Sequence, residues 1–374
     1  MQIGFGSTLL AQHAGKPADG IATYARSLLQ ELQNQNINIT PYSFNAIDPL
    51  LTQKYQALGS SFQINLAKAL FLNQSFPAPN QSIDLFHATD HRIPKLDNIP
   101  VVATIMDPIP LAHPEWVNQR GRILKNWAFK RSARWANHII TISEFSAQEI
   151  ARHFDIPRDK ISVTPLGVDS VYFDAPEKAA QQTFLHKLQL DRPFFLHIGT
   201  LQPRKNIERL LDAYEALPSS IQKEYPLVIA GQVGWQVNAL LLRLNQLHAE
   251  GKVHYLGYVS DAEKQILLHT AHALVFPSLY EGFGLPILEA FAANLPVITS
   301  NTTAIPEVAG DAAILINPWD TQAIKQAMQI IIEAPDLRRS MQEKGQLIAK
   351  QHTWQSCAQN TLAVYKYVLG QKYS

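Results

Sequence analysis

The sequence has a single cysteine, no long apolar run and no surplus of charge of either sign. Because Cys357 is alone among 374 residues, a disulfide framework and any zinc site built on cysteines are excluded. No apolar run approaches the ~18 residues that a membrane-spanning helix needs. The first residues carry no basic leader before their short apolar run, so we expect no signal peptide and a cytoplasmic protein.

Positive and negative side chains are nearly balanced, with 32 Lys and Arg residues against 31 Asp and Glu residues. Since binding to a phosphate backbone requires a clear cationic surplus, nucleic acid is not an expected partner. Apolar residues make up 46% of the chain and charged residues 17%, as in folded proteins with full-sized cores. At roughly 100–200 residues per domain, the length predicts two domains.

Short β-branched or aromatic segments alternate with longer amphipathic ones, which is typical of βαβ units. Strands are predicted in the first half at residues 1–5, 83–88, 101–105, 138–142 and 161–164. In the second half they are predicted at residues 194–198, 227–230, 253–256, 273–277, 297–299 and 313–316.

This alternation predicts an α/β protein with two Rossmann-like domains whose parallel sheets face each other across a cleft. The first domain is expected at residues 1–175 and the second at residues 176–352, with a polar linker around the boundary. A final helix within residues 353–374 has no strand to pair with, so we expect it to dock elsewhere and to cross back to the first domain.

The most informative segment is Tyr-Glu-Gly-Phe-Gly-Leu-Pro-Ile-Leu-Glu-Ala at residues 280–290, which follows a predicted buried strand and opens a helix. Its glycines permit tight turns and its proline suits a first helical turn, so the amides of Phe283, Gly284 and Leu285 are expected to point at an anion. Beside a diphosphate, Glu281 and Glu289 are favourable only if they accept hydrogen bonds from hydroxyls. The segment therefore predicts a nucleotide sugar, although a capped helix with two solvated glutamates is the alternative.

A second segment, Gly-Thr-Leu-Gln-Pro-Arg-Lys-Asn at residues 199–206, lies between a predicted strand and the next helix. Arg204 and Lys205 at a strand's carboxyl end can neutralise a diphosphate, the arginine as a bidentate donor and the lysine as a point charge. A solvated basic turn is the alternative. The expected position at the same sheet edge as Glu281 favours ligand binding.

These segments, together with residues 295–298 and 305–311, resemble the retaining glycosyltransferases of family 4, which have the GT-B fold. The similarity runs along nearly the whole chain and is strongest from residue 194 to residue 318. Residues 86–91 and 108–115 resemble the subgroup that contains mannosyl- and rhamnosyltransferases of surface polysaccharides.

The resemblance implies roles for individual residues of the donor site. Arg204 and Lys205 are expected to bind the donor diphosphate, and Glu281 the donor hexose or its phosphate. The amides at residues 283–285 are expected to hold phosphate, and Glu289 the ribose hydroxyls. The resemblance also implies that the backbone of Val259 and Ser260 contacts the base. It implies that Gly20 belongs to a first-domain loop that closes over the phosphates.

Two departures from the family pattern concern the same site. The family often has His-Asp after a first-domain strand, with the histidine in the donor-hexose site, whereas this chain has Met106 followed by Asp107. Methionine neither binds a hydroxyl strongly nor moves a proton, so either Asp107 or the nearby His87 takes over this contact, or the contact is dispensable. Many relatives also carry Arg at the position of Thr200, which we keep in the predicted donor site.

The predicted reaction moves a hexose from a nucleoside diphosphate sugar to a saccharide or lipid-linked saccharide, in lipopolysaccharide O-antigen or other surface polysaccharide synthesis. GDP-mannose is the first candidate donor, from the subgroup resemblance alone, and no metal ion or other cofactor is expected. Retention is expected through front-face attack, with a covalent glycosyl-enzyme on Asp107 as the competing mechanism. The alternatives are a nucleotide-sugar epimerase and a glycosyltransferase that uses UDP-glucose or UDP-GlcNAc.

Residues 117–137 contain six Lys or Arg residues and no acid, interleaved with large apolar side chains. Such a basic amphipathic helix can lie on an anionic membrane, which suits a lipid-linked acceptor and peripheral association with the cytoplasmic face of the inner membrane. The alternative is an ordinary first-domain helix that buries Trp127 and Trp135 while its cations stay solvated.

Overall fold

The computed structural model of the chain describes residues 1–12, 20–35, 37–44, 54–59, 61–116 and 121–372. The chain forms two compact units. The first comprises Met1–Gly167 and Trp354–Ser374, and the second comprises Val168–Thr353. Each unit contains a parallel β-sheet whose strands are joined by helices, as the alternation in the sequence predicts.

The first sheet has seven strands among the described residues, in the order β3-β2-β1-β4-β5-β6-β7. Its strands are β1 (Gln2–Gly6), β2 (Asn38–Ser43), β3 (Gln56–Ala57), β4 (Leu85–Ala88), β5 (Val101–Thr104), β6 (His138–Thr141) and β7 (Ile161–Val163). The helices of this unit are α1 (Thr8–Gln12), α2 (Gly20–Asn34), α3 (Phe62–Phe71), α4 (Ile109–Ala112), α5 (Arg122–Ala133), α6 (Glu144–Phe154) and, from the end of the chain, α16 (Trp354–Lys372).

The second sheet has the order β10-β9-β8-β11-β12-β13. Its strands are β8 (Phe195–Ile198), β9 (Leu227–Ala230), β10 (Val253–Gly257), β11 (Ala273–Phe276), β12 (Val297–Ser300) and β13 (Ala313–Ile316). The helices of this unit are α7 (Lys178–Lys187), α8 (Ile207–Glu215), α9 (Ser219–Glu224), α10 (Asn238–Ala249), α11 (Asp261–Thr270), α12 (Leu285–Ala292), α13 (Ile305–Ala309), α14 (Thr321–Glu333) and α15 (Pro335–Gln351).

All the strands predicted from the sequence are present, but β2 and β3 were not predicted. Proline inside a strand normally argues against a central position, and β2 contains Pro41. Tyr42 O accepts a hydrogen bond from Ser7 N at 2.7 Å, so Tyr42 faces β1 and the neighbouring Pro41 N faces the opposite side. There β3 pairs only with Tyr42 and Ser43, so the missing amide hydrogen of Pro41 removes no ladder hydrogen bond.

Buried polar side chains tie the C-terminal helix to the first sheet. Helix α16 packs against α2. The hydroxyl of Tyr365 on α16 lies 2.6 Å from His87 Nδ1 on β4, and His87 Nε2 lies 2.8 Å from Thr104 Oγ1 on β5. The hydroxyl of Tyr24 on α2 lies 2.8 Å from the same Thr104 oxygen. The last helix therefore completes the core of the first unit.

The second sheet reverses its winding direction at the pair β8 and β11. From β8 the chain adds β9 and β10 on one side, and it then returns to place β11 on the other side of β8, with Leu274 opposite Leu196. In open parallel sheets, ligands bind beyond the carboxyl ends of the strands at such a reversal. The loops after β8 and β11 are thus the first place to look for a site in this unit.

Candidate active site

The loop after β8 carries the two cations that the sequence predicts at the donor diphosphate. It runs from Gly199 through the 3-10 turn Pro203–Lys205 to Asn206, whose left-handed backbone (φ 59°) starts α8. Thr200 is half-buried in this loop. The side-chain amide of Asn206 donates to Pro277 O at 3.0 Å and to Pro318 O at 2.7 Å, which fastens the loop to the ends of β11 and β13.

Two glycines after β9 allow this loop its close approach. A Cβ atom on Gly231 would lie 1.9 Å from the carbonyl oxygen of Gly199, and one on Gly234 would lie 2.3 Å from the carbonyl oxygen of Leu201. Real side chains never come so close to backbone atoms. Leu201 also exchanges backbone hydrogen bonds with Gln232 and Gly234, so the loops after β8 and β9 form one unit.

Arg204, Lys205 and Glu281 form a buried ion cluster between the loops after β8 and β11. Arg204 Nη1 lies 2.9 Å from Glu281 Oε2, and Lys205 Nζ lies 2.6 Å from Glu281 Oε1. Arg204 Nη1 also donates to the backbone oxygen of Tyr280 at 2.9 Å. The side chains of Lys205 and Glu281 are only 8% and 10% exposed. The structure thus brings together three of the residues singled out in the sequence, from loops 76 positions apart.

The electrostatics of the cluster favour an anionic ligand. Burial alone raises the pKa of the Glu281 carboxyl, but the charges of Arg204 and Lys205 and a hydrogen bond from the lysine outweigh it and lower this pKa to about 2. Lys205 Nζ also lies 4.6 Å from the ring centroid of Phe276. With two cations and one carboxylate, the cluster keeps one positive charge in excess, which a diphosphate can neutralise.

The N-terminus of α12 lies a few residues after Glu281 and carries backbone amides that no acceptor within the helix can satisfy. Gly284 stands before the helix with φ of +114°, and Pro286 occupies the first turn, as the sequence predicts. The first amides of a helix have no acceptor within the helix and favour negative charge beside them. Glu281 N donates to Thr303 Oγ1 at 3.2 Å, so the turn after β12 supports this segment. The amides of Phe283, Gly284 and Leu285 at this helix start remain the predicted phosphate contacts.

Glu289 lies one turn into α12, where it is 6% exposed. Its Oε1 atom accepts a hydrogen bond from Lys264 Nζ of α11 at 2.8 Å. Ser260 is the N-cap of the same helix α11, and its hydroxyl and backbone amide exchange hydrogen bonds with Glu263 in a capping box. The predicted base contacts are Val259 and Ser260. They lie at the start of α11, about one turn before Lys264, the residue of this helix that contacts Glu289.

The first-unit residues of the predicted site lie on separate elements. Gly20 is the exposed first residue of α2, and residues 13–19 before it lie outside the described residues. Asp107 follows β5 and accepts a hydrogen bond from Ile109 N at 3.0 Å, while Met106 beside it is buried. His87 is fully buried, and both its ring nitrogens are engaged by Tyr365 and Thr104. A sugar hydroxyl would have to displace one of those partners.

Among the described residues, no group of three or more His, Cys, Asp or Glu side chains is placed to hold a metal ion. Within the same part of the chain, no helix has both the length and the apolar composition needed to cross a bilayer.

Comparison with known families assigns both units. Residues 18–171 match the family Glycosyltransferase Family 4, and residues 180–347 match Glycosyl transferases group 1. The chain therefore carries a family 4 domain and a group 1 domain of glycosyltransferases. The resemblance stated from the motifs is thereby confirmed, and the second match contains the ion cluster, the start of α12 and Glu289.

Relatives of the chain include enzymes named for O-antigen synthesis. The O-antigen chain mannosyltransferase B of Escherichia coli is 40% identical over 233 residues, which are 62% of this chain and 61% of the relative. The O-antigen chain mannosyltransferase RfbU of Salmonella typhimurium is 29% identical over 248 residues, which are 66% of this chain and 65% of the relative. The chain spans less than two-thirds of the length of these relatives.

Solved structures resemble the family 4 chain over nearly its whole length. Sucrose-phosphate synthase from Thermosynechococcus elongatus has a TM-score of 0.75 and 19% identity, covering 99% of this chain and 100% of that one. Anabaena HepE, solved with UDP and glucose, has a TM-score of 0.74 and 18% identity, covering 98% and 99%. Together with the two parallel sheets, these likenesses establish the fold as two Rossmann-like domains of the GT-B type.

Two features of the site in this glycosyltransferase were not predicted. The close approach at Gly231 and Gly234 has a local signal, because Gly-Gln-Val-Gly follows the predicted strand 227–230 directly. Lys264 has none, since its partner Glu289 is 25 positions away and a helical lysine is ordinarily solvated.

Proposed function

We propose that the chain transfers a hexose from a nucleoside diphosphate sugar to a saccharide hydroxyl, with retention at the anomeric carbon and without a metal ion. GDP-mannose is the first candidate donor, and a lipid-linked saccharide of O-antigen synthesis is the first candidate acceptor. The O-antigen mannosyltransferase relatives support this assignment. The observation that carries it is the cluster of Arg204, Lys205 and Glu281 beside the start of α12.

The cluster suits the leaving group of such a reaction. As the glycosidic bond breaks, negative charge develops on the departing diphosphate, and Arg204, Lys205 and the amides at residues 283–285 are proposed to stabilise it. Because these groups are fixed before the reaction, the stabilisation requires little reorganisation. Two cations can supply the charge that other transferases obtain from a divalent ion, so activity is expected to survive a chelator such as EDTA.

The sugar is proposed to react on a single face. The nucleoside diphosphate leaves while a short-lived oxocarbenium-like sugar forms, and the acceptor hydroxyl attacks from the face that the diphosphate leaves. The departing phosphate oxygen then takes the acceptor's proton. The protein contributes positioning and fixed charge. A covalent intermediate on Asp107 is the alternative mechanism, and a sugar adduct trapped on Asp107 would establish it.

The donor is best identified by a thermal-shift panel of nucleotide sugars, because a ligand that binds only the folded chain raises its melting temperature. Turnover with the best donor should fall by about 10²–10³-fold in Lys205→Ala, by analogy with loss of one preorganised donor. The matched control is Lys344→Ala, which removes an exposed lysine of the same unit. Near-normal turnover of Lys205→Ala contradicts the proposal, and a new sugar isomer formed from donor alone indicates an epimerase.

A surface of the first unit supports peripheral contact with the lipid-linked acceptor's membrane. Helices α3 and α5 present large apolar side chains to solvent, with Phe71, Leu72, Ile123 and Leu124 between 61% and 83% exposed. The rings of Phe71 and Trp127 are stacked, with centroids 6.0 Å apart. We name this set, Phe71, Leu72, Ile123, Leu124 and Trp127, the α3–α5 surface.

The charge around the α3–α5 surface matches an anionic bilayer. Lys68 and Lys125 are exposed, Arg122 is half-buried, and neither α3 nor α5 contains an acid. Of the two tryptophans in the segment, Trp135 is half-buried against the first core, while Trp127 is 44% exposed. Residues 117–120 of the predicted segment lie outside the described residues. Exposed apolar side chains next to cations are typical of surfaces that bind anionic membranes.

Flotation on vesicles of phosphatidylglycerol and phosphatidylethanolamine tests this proposal. The native chain should float with the vesicles, and salt should weaken this binding. The double variant Ile123→Ser/Leu124→Ser should no longer float with them. The control is Leu242→Ser/Leu347→Ser, which removes two equally exposed apolar side chains from the second unit. The membrane proposal is contradicted if the two double variants bind the vesicles equally well. It is also contradicted if the chain dimerises through Ile123 and does not bind vesicles.

A further inference from the structure

We propose that Lys264 is a positioning residue of the donor site, which holds the Glu289 carboxylate in the orientation that binds the ribose hydroxyls. This inference rests on the ribose contact of Glu289 in the proposed function. Lys264 acts through Glu289 and need not touch the donor.

The pair is almost closed to solvent. Lys264 Nζ lies 2.8 Å from Glu289 Oε1, and the two side chains are 19% and 8% exposed. Because the lysine binds Oε1, Oε2 is the oxygen that we assign to the ligand. Lys264 also lies one helical turn after Ser260, so α11 would serve the base and the ribose of one nucleotide.

Tyr172 closes the other side of the lysine. Its ring centroid lies 5.0 Å from Lys264 Nζ, a cation–π distance, and the tyrosine is 4% exposed. The 3-10 turn Ser170–Phe173 that carries it is fastened to α11 by side chains of that helix. Gln265 donates to Val171 O at 2.6 Å, and His269 Nε2 lies 3.1 Å from Tyr172 O.

The charges of the pair depend on each other. Burial alone lowers the pKa of the Lys264 ammonium, but the Glu289 carboxylate and Tyr172 raise it above its ordinary value, so the lysine stays charged. Removing the lysine leaves the buried carboxylate without the cation that lies 2.8 Å from its Oε1 atom, so the carboxylate loses the orientation proposed to receive the ribose hydroxyls.

The experiment compares the binding of GDP with that of 2′,3′-dideoxy-GDP, which lacks both ribose hydroxyls, by calorimetry. UDP and its dideoxy counterpart replace them if UDP binds the chain more tightly. The native chain should prefer the ribonucleotide by on the order of tenfold, the worth of one charge-assisted hydrogen bond. In Lys264→Met this preference should shrink severalfold, and Lys264→Arg should restore much of it.

A kinetic readout separates positioning from a merely structural role. In Lys264→Met the donor KM should rise while kcat changes little, since the ribose is remote from the reacting carbon. Lys252→Met is the matched control, because Lys252 also lies 2.8 Å from a glutamate of this unit but in an exposed pair.

The outcomes distinguish the two proposals. If Glu289→Ala keeps the native preference for GDP, the ribose contact itself is absent and the proposed function is wrong at this residue. If Glu289→Ala abolishes the preference but Lys264→Met retains it in full, the inference about Lys264 is wrong. If Lys264→Met does not fold, Lys264→Arg decides the question. A Lys264→Arg chain that folds but loses the preference for GDP also contradicts the inference.

Discussion

Replacing Lys205 by methionine gives the sharpest test of how the ion cluster works. Methionine keeps most of the apolar stem, which packs over Phe276, but it removes the charge that lies 2.6 Å from Glu281 Oε1. Breaking one partner of a buried pair costs about 3–5 kcal/mol, because the other charge remains buried. Arg204 still contacts the glutamate at 2.9 Å, so we expect the lower end, about 3 kcal/mol.

A matched pair on the surface of the same unit isolates the effect of burial. Lys344 lies 2.6 Å from Asp311, the same distance, but these side chains are 46% and 77% exposed. Lys344→Met should leave the unfolding transition almost unchanged, since solvent screens exposed pairs. At roughly 2–4 °C per kcal/mol, Lys205→Met should lower the melting temperature by about 6–12 °C in calorimetry at pH 7. Equal shifts in the two variants would refute the reasoning from burial.

Three further predictions follow from the same packing. Gly231→Ala should destabilise the chain by more than about 3 kcal/mol in urea unfolding, because its Cβ meets a backbone oxygen, whereas Gly370→Ala, with open space around it, should be tolerated. His87→Phe should cost about 1–3 kcal/mol through its lost hydrogen bonds yet leave nucleotide affinity within about twofold. Burial lowers the pKa of His87 to about 3 and that of His197 to about 4. Below pH 6.5 the unfolded chain therefore binds more protons than the folded chain, so the free energy of unfolding falls as the pH drops from 6.5 towards 4. Urea unfolding at pH 7 and pH 5 should show a smaller difference in His197→Phe than in the native chain.

Local sequence patterns predicted most of the fold because each strand of the second sheet is a short apolar run between amphipathic helices. The same patterns failed at β2, where Pro41 argues against a strand until the one-sided pairing at that position is known. The edge at which each strand joins the sheet depends on contacts between residues that are far apart in the sequence. The spacing of apolar residues along the chain does not determine it.

The predicted site shows the same division between local and long-range information. The start of α12 was predicted from residues within one motif, since glycine and proline fix backbone geometry locally. That Glu281 pairs with both Arg204 and Lys205 depends on β8 and β11 being neighbours. His87 attracted attention as a histidine close to a predicted strand end, and only the packing of α16 shows that its nitrogens are engaged within the core.

The central claim is that the ion cluster and the start of α12 receive the donor's diphosphate, and a crystal structure of the chain with a nucleoside diphosphate tests it most directly. The account predicts phosphate oxygens within about 3 Å of Arg204, Lys205 and an amide of residues 283–285, the usual range for such hydrogen bonds. A diphosphate bound elsewhere, with Glu281 still holding both cations, would contradict it.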